Sequence, residues 1–173
     1  MREALAGLQA AVAPTAPFDP AAADATWTIA ASDYSGLAVV VPTLARLRAA
    51  APRTRLAMRE SAPQLVARLA EDGEIDLGLQ TMDRIAPAMH ALKLFDERYV
   101  LVARAGHPRL RRKPTLATFC ALEHVLVSPD GGGFSGVTDT ALAALGRQRR
   151  VVLSLPHFIG AMSAVASTDL VAI

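Results

Sequence analysis

The chain has a single cysteine, Cys120, and only 5% aromatic residues. One cysteine excludes an internal disulfide and any metal site built from several thiolates. Few aromatics mean that a core must be made mostly of Ala, Val and Leu, which is feasible in 173 residues that are 52% apolar. No apolar run approaches the roughly 18 residues of a membrane span. The first twenty residues, MREALAGLQAAVAPTAPFDP, lack the apolar centre of a secretory signal. A cytoplasmic protein is expected. The formal net charge is only +2, too small by itself to point to nucleic acid. The basic clusters Arg109, Arg111, Arg112, Lys113 and Arg147, Arg149, Arg150 read as solvated loop charge.

What is present is a regular alternation. Leu5, Leu8 and Val12 suit a short amphipathic helix, and the proline- and alanine-rich stretch after it reads as a linker. A strand, TWTIAAS, then leads through Ser32 or Asp33 as helix cap into YSGLAVVVPTLARLRAAAP. TRLAMRES is a second strand. The helix APQLVARLAEDG follows, with Ser61 at its cap, Pro63 in its first turn and Gly73 at its stop. IDLGLQ is a third strand with Asp76 inside it, a carboxylate that needs hydrogen-bonding partners if it is buried. The order βαβαβ implies a parallel sheet with helices on it. Beyond the extended HALKLFDERYVLVARAG lie the helix TLATFCALEH, the strand VLVS and the helix VTDTALAALG. The strand RRVVLSL, the helix FIGAMSAVAS and a last strand, DLVAI, complete a second α/β unit. Two such units joined by ERYVLVARAG predict two lobes with a cleft between them.

Several motifs fail on inspection. GGGFSG (Gly131 to Gly136) matches a dinucleotide fingerprint in form, but the next strand carries no acid for a ribose, and Pro129 and Asp130 separate the glycines from their strand. The same loop lacks the second glycine of a serine elbow, since Val137 stands two residues after Ser135. His90, His107, His124 and His157 are scattered without helical pairing, so no metal site is expected. No catalytic residues and no cofactor are expected. By contrast, Ser32, Ser61, Ser128 and His157 each follow a strand and open a helix or loop. Ligands bind at those carboxyl edges in parallel sheets. Hydroxyls and free helix N–H groups there suit a carboxylate, although any one serine read alone merely caps its own helix.

The segments WTIAASDYSGLAVVVPTLARLRAAAP, LVARLAEDGEIDLGLQ and LKLFDERYVLVARAGHPRL, completed by VTDTALAALGRQRRVVLSLPHFIGAMSAVASTDLVAI, resemble in combination and order the effector-binding region of LysR-type transcriptional regulators. The resemblance covers Trp27 to the end and is nearest in wording to the branch of nodulation and aromatic-catabolism regulators. It implies an α/β fold of two Rossmann-like subdomains around an interdomain cleft, like the type 2 periplasmic binding proteins, here C-terminally incomplete. It divides the chain into residues 1–25 (end of a linker helix, and linker), 26–103 (subdomain I) and 104–173 (subdomain II). It makes Asp76 structural rather than a ligand contact. By position it places effector contacts on Ser32, Tyr34, Ser61, Gln80 and Thr81 in one lobe, and on Ser128, Phe134, His157 and Phe158 in the other. It implies a small aromatic or carboxylate effector and a homodimer or tetramer in which the helices after Ser35 and Thr138 lie antiparallel. DNA would be reached only through a winged helix-turn-helix that this chain does not contain. The rivals are a transport solute-binding protein, which predicts a leader or lipoprotein cysteine, and a Rossmann-type enzyme, which predicts a complete cofactor fingerprint or a base–nucleophile pair.

Overall fold

The computed structural model describes residues 17–60, 62–81, 85–129 and 131–173. The expected helix at Leu5–Val12, the helix cap at Ser61 and the position of Asp130 lie outside them. Strand β1 (Thr26–Ala30) is central in a parallel sheet, between β2 (Arg55–Arg59) and the short β3 (Leu77–Gly78). Side chains alternate across β1. Trp27 and Ile29 face the first helix, and Ala30 faces the second. Successive right-handed crossovers with strand order 2-1-3 put the two helices on opposite faces in this way.

Helix α1 runs as a turn Asp33–Ser35, a π-helical stretch Gly36–Val40 and an α-helix Val41–Ala50. The widened stretch ends at Pro42, whose nitrogen cannot donate to the preceding turn; the Val41 N–H instead reaches the Gly36 carbonyl. Gly36 sits where α1 crosses β2: a Cβ there would fall 2.6 Å from Met58 Sδ. Helix α2 opens as a 3₁₀ turn, Pro63–Leu65, and continues over Val66–Glu71. Its apolar face (Val66, Leu69) packs with Ala30 and Ile75. Gly73, at φ 70°, ends it in the left-handed conformation that glycine adopts without strain.

Asp76 is exposed, not buried as the sequence suggested. Its Oδ2 accepts the Thr28 N–H at 2.7 Å while its own N–H donates to the Thr28 carbonyl at 2.8 Å. The carboxylate thus extends the β1–β3 ladder by one rung, a structural role, and β3 itself is shorter than IDLGLQ.

A long extended segment leads to the second sheet. Helix α3 (Leu116–Cys120), capped by Thr115, precedes β4 (Glu123–Val127). Helix α4 (Val137–Ala144), β5 (Arg150–Leu155) and helix α5 (Phe158–Ser167) follow. β4 and β5 pair in parallel with an irregularity after His124. α5 buries Ala161 and Val165 against Val125 and Ala172. The expected last strand is reduced to two single bridges, Val171 to His124 and Ala172 to Val102, and the latter ties the connecting segment into this core.

Arg149 departs from the solvated-charge expectation. Its side chain is 2% exposed and grips Asp139 with two bonds, Nε to Oδ1 at 2.9 Å and a terminal nitrogen to Oδ2 at 2.8 Å. Asp139 also accepts the Gly136 N–H at 2.8 Å. The amide that a phosphate would need at the end of the glycine loop is therefore taken by α4's own cap. Among the described residues no helix is long and apolar enough to cross a membrane.

Candidate functional site

The carboxyl ends of β1 and β2 meet the N-terminus of α5, which begins just past the carboxyl end of β5. The joint is made by Asp33. Its Oδ1 accepts the Phe158 N–H at 3.0 Å and its Oδ2 accepts the Ile159 N–H at 2.7 Å, while Oδ1 also takes the Tyr34 N–H at 2.9 Å. Two otherwise orphan donors of a ten-residue helix are thus satisfied by a carboxylate from the other sheet. Burial works against the Asp33 charge. The backbone donors of Ile159, Phe158 and Tyr34, together with His157, outweigh that burial and hold the carboxyl below its ordinary range.

Around this joint, His157 Nδ1 donates to Glu60 Oε1 at 3.0 Å, the Tyr34 hydroxyl donates to Glu97, and the rings of Tyr34 and Phe158 meet at 5.6 Å with a 48° tilt. The bond to Glu97 raises the Tyr34 phenol above its usual range. Asp33, Glu60 and His157 present donor atoms within 4.8 Å of one another, a spacing that suits a cation. Each of the three, however, already holds a protein partner.

Of the residues expected to line the cleft, the structure brings Tyr34, His157 and Phe158 together. Ser32 is adjacent, but its hydroxyl accepts the Ser35 N–H at 3.2 Å and serves its own helix. Gln80 donates to the Pro63 carbonyl at 3.1 Å, which ties the end of β3 to α2, and Thr81 beside it is exposed. Ser128 ends β4, its N–H bonded to the Leu155 carbonyl two residues before His157. Phe134 is 61% exposed on its loop, with no ring partner among the described residues. Ser61 lies outside the described residues. The expectation of free N–H groups at the α5 terminus is corrected: Asp33 fills them. Asp33, Glu60 and Glu97 were not singled out as site residues. The only sequence signal was that Asp33 competes with Ser32 as a cap.

A separate groove of about 650 Å³ runs between α1 and the first sheet, lined by Trp27, Ile29, Leu47, Leu56 and Leu77. Thr43, Arg46 and Asp76 also line it, but its wall is mostly apolar.

A family model described as the LysR substrate binding domain matches residues 21–173. The chain is 33% identical over 170 residues to the HTH-type transcriptional activator NagR of Ralstonia sp, covering 98% of this chain and 56% of that protein. The crystal structure of a probable transcriptional regulator from Pseudomonas aeruginosa superposes with a TM-score of 0.83 at 35% identity, over 99% of this chain and 57% of that one. The BenM effector binding domain, solved with its effector benzoate, superposes with a TM-score of 0.62 at 20% identity over 87% of this chain and 70% of that one, a likeness of fold. The chain spans about half the length of the curated relatives it matches. With two α/β units meeting at a polar joint and a family match over nearly its whole length, the chain belongs to the LysR substrate-binding domain family.

Proposed function

We propose that this chain is the effector-sensing and dimerising part of a cytoplasmic LysR-type regulator, with subdomains at 26–103 and 104–173 and a small aromatic or carboxylate ligand bound between them. The observation that carries the reading is the cross-cleft constellation of Asp33 and Tyr34 against His157 and Phe158. A flat ring packs against the outer side of the Tyr34–Phe158 pair, and the polar groups of Glu60, His157 and Ser128 fix its substituents. Gln80, Thr81 and Phe134 form an outer wall, and Ser61, outside the described residues, is kept as a contact on the resemblance alone. Because the contacts come from both lobes, a ligand that prefers one lobe arrangement shifts the population toward it. In the full-length regulator that shift repositions the DNA-binding segments.

For assembly, α1 exposes Leu37, Val41 and Leu44 at helical spacing, and α4 exposes Val137. Antiparallel pairing of α1 with α4 of a second copy covers both. The transport reading finds no support, since the curated relatives are transcriptional regulators.

The test is a thermal-shift screen of small aromatic alcohols, amides and acids. A ligand at 100 times its Kd stabilises by about 2.7 kcal/mol. Tyr34→Ala and Phe158→Ala are expected to abolish the shift. A hit that survives both variants places the ligand elsewhere and defeats the reading. Sedimentation of Val41→Glu is expected to show monomer.

A further inference from the structure

This inference rests on the cleft reading above and narrows its ligand. We propose that Asp33 is a specificity-determining residue, which holds the anion seat at the α5 N-terminus and makes the cleft select uncharged, hydrogen-bond-donating aromatic ligands over carboxylates.

The most favourable place for a ligand carboxylate in this cleft is the start of α5, where backbone N–H groups and the helix dipole converge. That place is occupied. Asp33 takes the Phe158 and Ile159 N–H groups at 3.0 and 2.7 Å, one with each oxygen. It is tethered to β1 through only two residues, and the Tyr34 N–H fixes its orientation. A free carboxylate would have to displace a group of its own kind that is held at high effective concentration. It would also enter beside Glu60 and Glu97, which face the same joint through His157 and Tyr34. Among the described residues, His157 is the basic side chain that meets these carboxylates, and no lysine or arginine forms an ion pair with them. A hydroxyl or amide N–H on an aromatic ligand meets the opposite situation. Glu60 and Glu97 are carboxylate acceptors with several lone pairs, each taking one side-chain donor among the described residues, His157 and Tyr34, next to the Tyr34–Phe158 ring pair.

The experiment uses two probes of one shape, 4-hydroxybenzamide and 4-hydroxybenzoate, titrated into ¹⁵N-labelled protein. The expected result is that the amide binds at least about tenfold tighter than the acid, with the Tyr34, His157 and Phe158 amides shifting. Asp33→Ala frees the two α5 donors and is expected to bring the acid level with the amide or ahead of it. Asp33→Asn keeps an acceptor but removes the charge, and is expected to narrow the preference part of the way; it carries the test if the alanine variant does not melt cooperatively. Equal or tighter binding of the acid by the unsubstituted protein overturns the proposal. So does a preference unchanged in both variants, and in these two cases the cleft reading stands. If neither probe moves the Tyr34, His157 or Phe158 amides in any of the proteins, the cleft reading falls and the proposal falls with it.

Discussion

Replacing Asp139 by alanine removes the partner of a guanidinium that water does not reach. Arg149 is 2% exposed and Asp139 is 18% exposed. Breaking a buried pair from one side costs about 3–5 kcal/mol, because the remaining charge is left without compensation. The partial exposure of Asp139 puts this pair at the low end, about 3 kcal/mol. Asp139→Ala also orphans the Gly136 N–H at the start of α4, a cap loss of about 1 kcal/mol. The expected total is about 4 kcal/mol, a large share of the 5–15 kcal/mol that a domain of this kind commands. Removing the other partner is asymmetric. In Arg149→Met the Asp139 carboxylate keeps the Gly136 N–H and some solvent, so the cost is about 1–2 kcal/mol. Urea unfolding at pH 7, followed by circular dichroism, measures both. The pair also carries a pH signature. The Arg149 hydrogen bonds hold the Asp139 carboxyl below its ordinary 3.8, against an opposing effect of burial. Its contribution is therefore present above pH 3.8 and is lost as pH falls through the folded value, so the deficit of Asp139→Ala shrinks in acid. A deficit under about 1 kcal/mol, or an Arg149→Met cost equal to that of Asp139→Ala, refutes the assignment of a buried guanidinium.

His124 is fully buried, its Nε2 bonded to the Phe119 carbonyl at 3.0 Å, and burial pushes its pKa below 6.5 with Arg149 adding to the effect. The unfolded chain binds the proton first, so melting temperature is expected to fall as pH drops below 6.5, and His124→Phe is expected to remove that component. Two glycines meet equally close neighbours with different outcomes. A Cβ at Gly78 lies 2.7 Å from Cγ1 of Val66, which is stiff and 3% exposed, so Gly78→Ala is expected to cost about 1–3 kcal/mol. Gly36→Ala meets only the flexible, half-exposed end of Met58 and is expected to cost less than Gly78→Ala in the same urea series. Thr115→Ala removes the acceptor for the Thr118 N–H and is expected to cost about 1 kcal/mol by thermal melting.

The first α/β unit was legible because its signals are local. Ser32 caps where its spacing indicates, Gly73 stops α2, and the apolar alternation of β1 distinguishes its two helix-facing sides. β3 and the last strand came out shorter than their apolar patterns, because pairing partners, not propensity, decide where a ladder stops. The joint between the two units was legible in position, since Tyr34, His157 and Phe158 do come together, but not in chemistry. Ser32 stands where a ligand contact was expected and caps α1 instead. The acids that define the joint make bonds over 125, 97 and 63 residues of chain, distances at which no sequence periodicity carries information. The same holds for Arg149: a basic run looks solvated until the fold turns one member inward.

The bridge between Val102 and Ala172 has a consequence for synthesis. The first sheet closes early, since its rung from Thr28 to Asp76 spans only 48 residues of chain. The second sheet takes its final rung from a residue roughly seventy positions beyond Val102, so the entropic cost of that closure is met last. While the chain is being made, Val102 and the side of β4 that meets Val171 stay unpaired, although β4 can already pair with β5. The edge that receives Val171 and Ala172 is therefore open to mispairing until those residues arrive.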